Sequence, residues 1–183
     1  MNGSHKTRSP CLPITDEDWP LEIADMRLGF AGALNVYRTM AHHPALLKAW
    51  APLRQHLVKD SSLGAARSEL VILRAAHRMG SPYEWAHHVS RARKLGVSDA
   101  RIQAMCGLPD GEDGLIARAV DALFDDKRLP HDVESLLAAT IGKEAVFDLM
   151  ATVGFYLTLG FILMTFDTPL DEGVASEIAE RPL

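Results

Sequence analysis

Apolar positions recur along the chain at helical spacing, and no run of strand-like alternation competes with them. Thr15, followed by Asp16, Glu17 and Asp18, predicts a helix start with acids in its first turn, and Leu28, Ala31, Leu34 and Val36 carry the spacing on towards His42 and His43. Pro44 restarts the chain as a helix at the N1 position, with Leu46, Leu47, Trp50 and Leu53 on one face, and residues 59–64 read as a loop. A strong helix is predicted over 65–79, with Leu70, Val71, Leu73 and Ala76 as its apolar set and Gly80 as its stop. Ser81-Pro82-Tyr83-Glu84 matches a capping box and opens the next helix, which runs to Leu95 and stops at Gly96. Ser98-Asp99 starts another that ends near Cys106-Gly107. Residues 108–113 read as a turn-rich loop, helices are predicted over 114–126, 130–140 and 143–166, and Thr168-Pro169 ends the last of them.

This pattern predicts an all-α helical bundle of seven or eight helices, with a single domain over residues 14–173, a flexible tail over 1–13 and a polar tail over 174–183. A chain of 183 residues with 48% hydrophobic and 23% charged residues has room for a real core. The net charge of −5 and the lack of a lysine–arginine stripe argue against a nucleic-acid partner. Cys11 and Cys106, far apart and in no metal-binding spacing, fit a reducing, cytoplasmic setting. The first residues have no apolar run of the kind a signal peptide needs. Residues 149–166 carry no charge and reach the lower length limit for a membrane span, but acids lie on both sides and no basic flank orients it, so a buried core helix is expected.

The densest chemistry lies in the helix that Ser81 opens: Tyr83, Glu84, Trp85, His87 and His88. Residues four apart share a helix face, so Glu84 and His88 point the same way, and Tyr83 and His87 form the adjacent stripe. A carboxylate beside an imidazole is an acid–base pair: the acid orients the ring and raises its proton affinity, and the ring titrates near neutral pH. Glu69, in the preceding helix, joins them if the Gly-Ser-Pro turn folds the two helices together. The same residues have plainer uses, with Glu84 a cap, His88 a core residue and Glu69 a solvated charge. Glu69, Glu84 and His88 are also a conceivable carboxylate–histidine site for iron or manganese, although no HExxH or repeated ExxH signature supports a metal. Arg38 and Arg74 are the arginines to consider for a substrate carboxylate, and Tyr156 on the long apolar helix is a pocket or core residue.

The run from Glu69 (Glu-Leu-Val-Ile-Leu-Arg-Ala-Ala), then Ser81-Pro-Tyr-Glu-Trp-Ala-His-His88, then a short helix to Leu95-Gly96, resembles the core motif of the carboxymuconolactone decarboxylase family, whose all-helical fold is that of alkylhydroperoxidase D. The likeness extends over about residues 30–173, through Asn35-Val-Tyr-Arg-Thr-Met, His43-Pro44 and Phe166-Asp-Thr-Pro-Leu170. In the family's peroxidase branch, the positions of Ser81 and Glu84 hold the two cysteines of a Cys-x-x-Cys motif, and those of His88 and Glu69 hold a histidine and a glutamate. Here both thiols are gone, and a serine hydroxyl supplies neither a peroxide nucleophile nor a disulfide. The decarboxylase branch has a glutamate at the Glu84 position and a histidine at the His88 position, so the resemblance implies proton-transfer chemistry without a cofactor on a small lactone or unsaturated carboxylic acid. It assigns His88, Glu84 and Glu69 as catalytic; from their own chemistry and helix positions, His87, Tyr83, Trp85, Ser81, Arg38 and Tyr156 are the candidates to surround the substrate. It also implies self-association as a trimer, hexamer or dimer, with no nucleic acid or membrane as partner. The contrasting expectations are an oligomeric protein that binds a small ligand without turning it over, and a metal-dependent enzyme.

Overall fold

The computed structural model describes residues 11–183, so the tail expected at the N-terminus lies mostly outside the described residues. The described residues are helical and contain no strand. Five long helices form the main body: α4 (Ala65–Met79), α5 (Pro82–Lys94), α7 (Gly111–Asp125), α8 (His131–Ile141) and α9 (Lys143–Thr165). Before them come a 3₁₀ turn (Leu21–Met26), the short α1 (Phe30–Ala33) and α2 (Asn35–Met40), then α3 (Pro44–Gln55), which runs on as a π-helical turn (His56–Asp60). The short α6 (Asp99–Ala104) links α5 to α7, and α10 (Glu172–Glu180) follows α9.

The central element is α4. Every residue from Ser68 to Ala76 is buried, because α5, α7 and α9 surround it. One apolar cluster fills the space between α4, α5, α7, α8 and α9, around Leu70, Leu73, Ile116 and Leu149. A second joins the N-terminal segment and α3 to α9 and contains Trp19, Ile23, Tyr37, Leu47, Phe155 and Leu159. On its outer face α4 is tied to α7 by Arg67 to Glu112, Arg74 to Asp121, and Arg78 to Asp121 and Asp125. Arg74 also donates to the carbonyls of Met105 and Gly107, so it closes the end of α6 rather than holding a substrate.

Most predicted boundaries fall within a residue or two of the observed ones, and three differ. The helix expected from Thr15 to His42 is broken: Pro20, Gly29 and an extended Leu34 interrupt it, and Leu21 and Leu28 are left exposed. α7 starts three residues early, since Gly111, Glu112 and Asp113 join the helix instead of the loop. The expected C-terminal tail is α10, which packs against α5 through Glu177, the acceptor for Ser90 Oγ at 2.6 Å. α9 is long and apolar enough to cross a membrane, and 56% of its apolar window is buried within the fold.

One buried acid sits in this apolar helix. Asp148 accepts from Ser62 N at 2.6 Å and Ser61 Oγ at 3.2 Å and pairs with His56 Nε2 at 2.7 Å, which pins the π-helical turn and the following loop to α9. Burial raises the Asp148 pKa, but hydrogen bonds from His56 and Ser62 outweigh it and hold the carboxyl below its usual value, while Asp148 lifts His56 above its own. The stabilisation from Asp148 is present above the normal carboxylate pKa and lost as pH falls through the lowered one; that from His56 is present below about 6.5 and lost as pH rises through the raised one. The clasp is therefore tightest between about pH 4 and 6.5. Asp148→Ala should lower unfolding stability by about 2–3 kcal/mol in urea titrations at pH 6, and an unchanged midpoint would remove the clasp as a stabilising element.

Candidate functional site

The α4–α5 hairpin builds the site. Gly80 takes a left-handed conformation (φ 65°), which lets α4 end and α5 begin two residues later. Ser81 Oγ accepts from Glu84 N at 3.4 Å, and Pro82 occupies the first helical position. The return half of the capping box is absent: Ser81 N donates to Ala76 O instead, so the Glu84 side chain is not spent on the helix start. It turns inward.

There it meets His88. The imidazole lies between two acids, with Nδ1 at 2.5 Å from Glu69 Oε2 and Nε2 at 3.3 Å from Glu84 Oε2. Glu69 Oε1 in turn accepts from Arg91 Nε at 3.1 Å. Glu69, Glu84 and His88 are each no more than 3% exposed. The edge of the ring stands against Tyr156, with centroids 4.8 Å apart and planes at 89°. Burial works against a charged His88, but Glu69 and then Glu84 outweigh it, and its pKa is pushed up to about 9. Burial likewise raises Glu69, and His88 and Arg91 reverse that and bring it below the usual carboxylate value. At neutral pH the ring is an imidazolium, and both nitrogens face carboxylates. Among the described residues no group of three His, Cys, Asp or Glu side chains is arranged to hold a metal ion.

Glu84 Oε1 is buried with no hydrogen-bond partner. Glu84 and His88 line a cavity of about 260 Å³ together with Tyr37, Tyr83, His87 and Arg91, closed by Val36, Leu159 and Val174. A second polar group stands behind two of the cavity's lining residues, Tyr83 and His87. Asp171, at the start of α10, accepts from Tyr83 Oη at 2.5 Å and Asn35 N at 3.0 Å, and its Oδ2 is 3.0 Å from His87 Nε2. Tyr83 stacks on His87 at 4.2 Å. Burial raises the Asp171 pKa, and His87, Tyr83 and the Asn35 amide more than offset it.

The residues expected from the sequence thus divide. Glu69, Glu84, His88, His87, Tyr83 and Tyr156 come together around the cavity. Ser81 caps α5 and Trp85 packs against the main apolar cluster, both beside a different cavity shared with Cys106. Arg38 is held away from the site by Asp16 and the carbonyls of Ile14 and Gly32. Sequence reasoning missed Tyr37, Arg91 and Asp171. Arg91 carried a signal in hindsight, one turn after His88 on the same stretch of helix; Asp171 carried none, as it reaches the site only through the return of the chain after α9.

Residues 44–123, somewhat under half of the chain, match the model of the carboxymuconolactone decarboxylase family. A comparison with curated proteins finds no match. Among solved structures, a cysteine-to-alanine variant of the debrominase Bmp8 in complex with 2,3,4-tribromopyrrole superposes with a TM-score of 0.74 at 15% identity, covering 95% of this chain and 98% of that one. Bmp8 without ligand gives 0.72 at 16% identity, covering 93% and 97%. An uncharacterised peroxidase-related protein from Silicibacter sp. TM1040 gives 0.71 at 14%, covering 94% and 97%. At such identities the likeness is one of fold.

The buried triad makes its own prediction. Glu69→Gln removes the stronger of the two partners that hold the proton on His88, so the His88 pKa should fall by about 2 units or more, read by histidine NMR against the wild type. The His88 contribution to stability is full below about 6.5 and fades as pH rises through about 9, so the gap between wild type and variant should narrow above that pH to what the Glu69–Arg91 pair contributes. The family-model match over residues 44–123 and the fold shared with these structures together make the helical core similar to that of the carboxymuconolactone decarboxylase family, with the alkylhydroperoxidase D-like helical fold.

Proposed function

We propose that this protein is a cofactor-free acid–base enzyme, a lyase or isomerase, acting on a small lactone or unsaturated carboxylic acid. One observation carries the reading: a buried carboxylate oxygen, Glu84 Oε1, has no protein partner, while the other oxygen of the same group is held by an imidazolium at 3.3 Å. A buried acceptor without a donor is costly unless a ligand or a transferred proton satisfies it. Glu84 is the group that exchanges a proton with carbon. His88 orients it and supplies or stores the proton, and Glu69, anchored by Arg91, fixes the ring.

In a decarboxylation, His88 first passes its proton to Glu84; the bond to the departing carboxylate breaks, its electron pair moves through the conjugated double bond into the carbonyl, CO2 leaves, and the far carbon takes that proton from Glu84. The ring is reloaded from solvent. In an isomerisation, the same oxygen takes a proton from one carbon and returns it to another. Both need one positioned acid–base group in a site of limited water access, and neither uses a thiol. The two cysteines support this reading by their places: Cys106 lies by the Trp85 cavity, and Cys11 near the start of the described chain.

Self-association belongs to the same reading. Phe147 and Phe161 are 61% and 57% exposed on the outer side of α9, and an oligomer covers them. Light scattering that returns the mass of a single 20.1 kDa chain would remove it.

The test of the chemistry is deuterium uptake from solvent into a panel of unsaturated carboxylic acids and lactones, followed by NMR. Glu84→Gln should slow exchange by about 10²-fold or more with the fold intact, and Cys11→Ser with Cys106→Ser should leave the rate unchanged. Equal rates in wild type and Glu84→Gln would end the proposal.

A further inference from the structure

A second cavity, of about 310 Å³, lies on the other side of Arg91 and Tyr156 from the Glu84 cavity. Arg91, Tyr156 and Lys94 line both, so they form the partition between the two. The second cavity is walled by apolar side chains, Leu57, Val58, Ile72 and Leu95, and opens at a rim that carries Lys59 and Lys94, both exposed. Its one acid, Glu69, is already engaged by His88 and Arg91.

The partition has hydrogen-bond capacity that the protein leaves unused. Arg91 spends only Nε, on Glu69, and its terminal nitrogens make no hydrogen bond within the described residues, with the side chain 41% exposed. The Tyr156 hydroxyl makes none either. Burial, above all, raises its pKa well over the ordinary phenol value, so it stays protonated and able to donate. A guanidinium with two free donors beside a neutral hydroxyl is a fork that suits a carboxylate.

We infer that Arg91 and Tyr156 bind the carboxylate of an amphipathic acid whose apolar arm occupies the Leu57–Ile72–Leu95 cavity. This narrows the substrate class to carboxylates with a medium-length apolar chain. It rests on the function proposed above for the position of the reacting carbon, on the Glu84 side of the partition, but not for where the carboxylate or the arm binds. The apolar walls reward each methylene removed from water, and Lys59 at the rim favours an anion over a neutral chain, while Lys94 is shared with Glu177 and Ser90.

Calorimetric titration with straight-chain saturated carboxylates from butanoate to octanoate, and with the matching alcohols, tests this on the intact protein. Affinity should rise about threefold per added methylene until the cavity is filled, and the alcohols should bind at least about tenfold more weakly than the acids. Tyr156→Phe removes a hydroxyl with no protein partner, so the fold is kept, and it should weaken every acid about tenfold. Ala65→Trp, at an exposed position on the cavity wall, should weaken octanoate much more than butanoate. The same titrations in Glu84→Gln separate the two ideas: chain-length-dependent binding there, with no deuterium uptake by any unsaturated acid in wild type, keeps this site and discards the proton chemistry. Acids and alcohols that bind alike, or an affinity indifferent to chain length and to Ala65→Trp, would overturn the inference even if exchange is observed.

Discussion

An imidazolium enclosed by two carboxylates within the core sets conditions that the surrounding structure has to meet. Removing three ionisable groups from water costs several kcal/mol each, and mutual attraction offsets this only with close geometry and saturated hydrogen bonds. Here the geometry is close for Glu69 and His88, at 2.5 Å, and Arg91, on α5 with His88, completes the hydrogen bonding of Glu69 on α4. When all four groups are ionised, two negative and two positive charges cancel within a single seam between α4 and α5. That seam exists because Gly80 permits a left-handed turn, because Ser81 and Pro82 start α5 at once, and because α4 is packed on all sides and cannot shift away from its neighbours.

The unmet acceptor in this set, Glu84 Oε1, is where stability and function diverge. A protein built for stability alone would have completed the capping box with Glu84, and the helix start would have gained about 1 kcal/mol. The backbone amide of Ser81 is satisfied elsewhere and the carboxylate turns to the cavity. Asp171 does for the far wall what Glu69 does for the near one: it gathers Tyr83, His87 and the start of α2 onto one carboxylate. Through it the C-terminal helix becomes a wall of the site, with Val174 lining the cavity and Glu177 bound to α5.

Helices α3 to α9 were legible in the sequence because each carries its own boundary signals. Pro44, Gly80, Ser81-Pro82, Gly96 and Ser98 act within a few residues, so tertiary context has little to add. His43 does cap α3, accepting from Leu46 N. The N-terminal stretch was misread as a longer helix because its apolar spacing is helical, while Pro20 and Gly29 break the backbone and the segment instead wraps over α3 and α9. The central acid–base set was legible for the same local reason: Glu84 and His88 are four apart on one helix, and a single tight turn brings Glu69 back to them.

By itself, then, the sequence determined the helical class, the hairpin that carries the candidate site, and the pairing of Glu84 with His88. All of these depend on contacts between residues close in the chain. Tertiary structure alone decided that Glu84 is not a cap, that Arg38 and Arg74 are occupied by Asp16 and Asp121, that Arg91 and Tyr156 line two cavities at once, and that Asp171 holds Tyr83 and His87 on one of them. The reason is distance along the chain: these outcomes turn on which of several chemically equivalent partners, up to 136 residues away, a charged or polar side chain meets first when the helices pack, and local spacing carries no record of that competition.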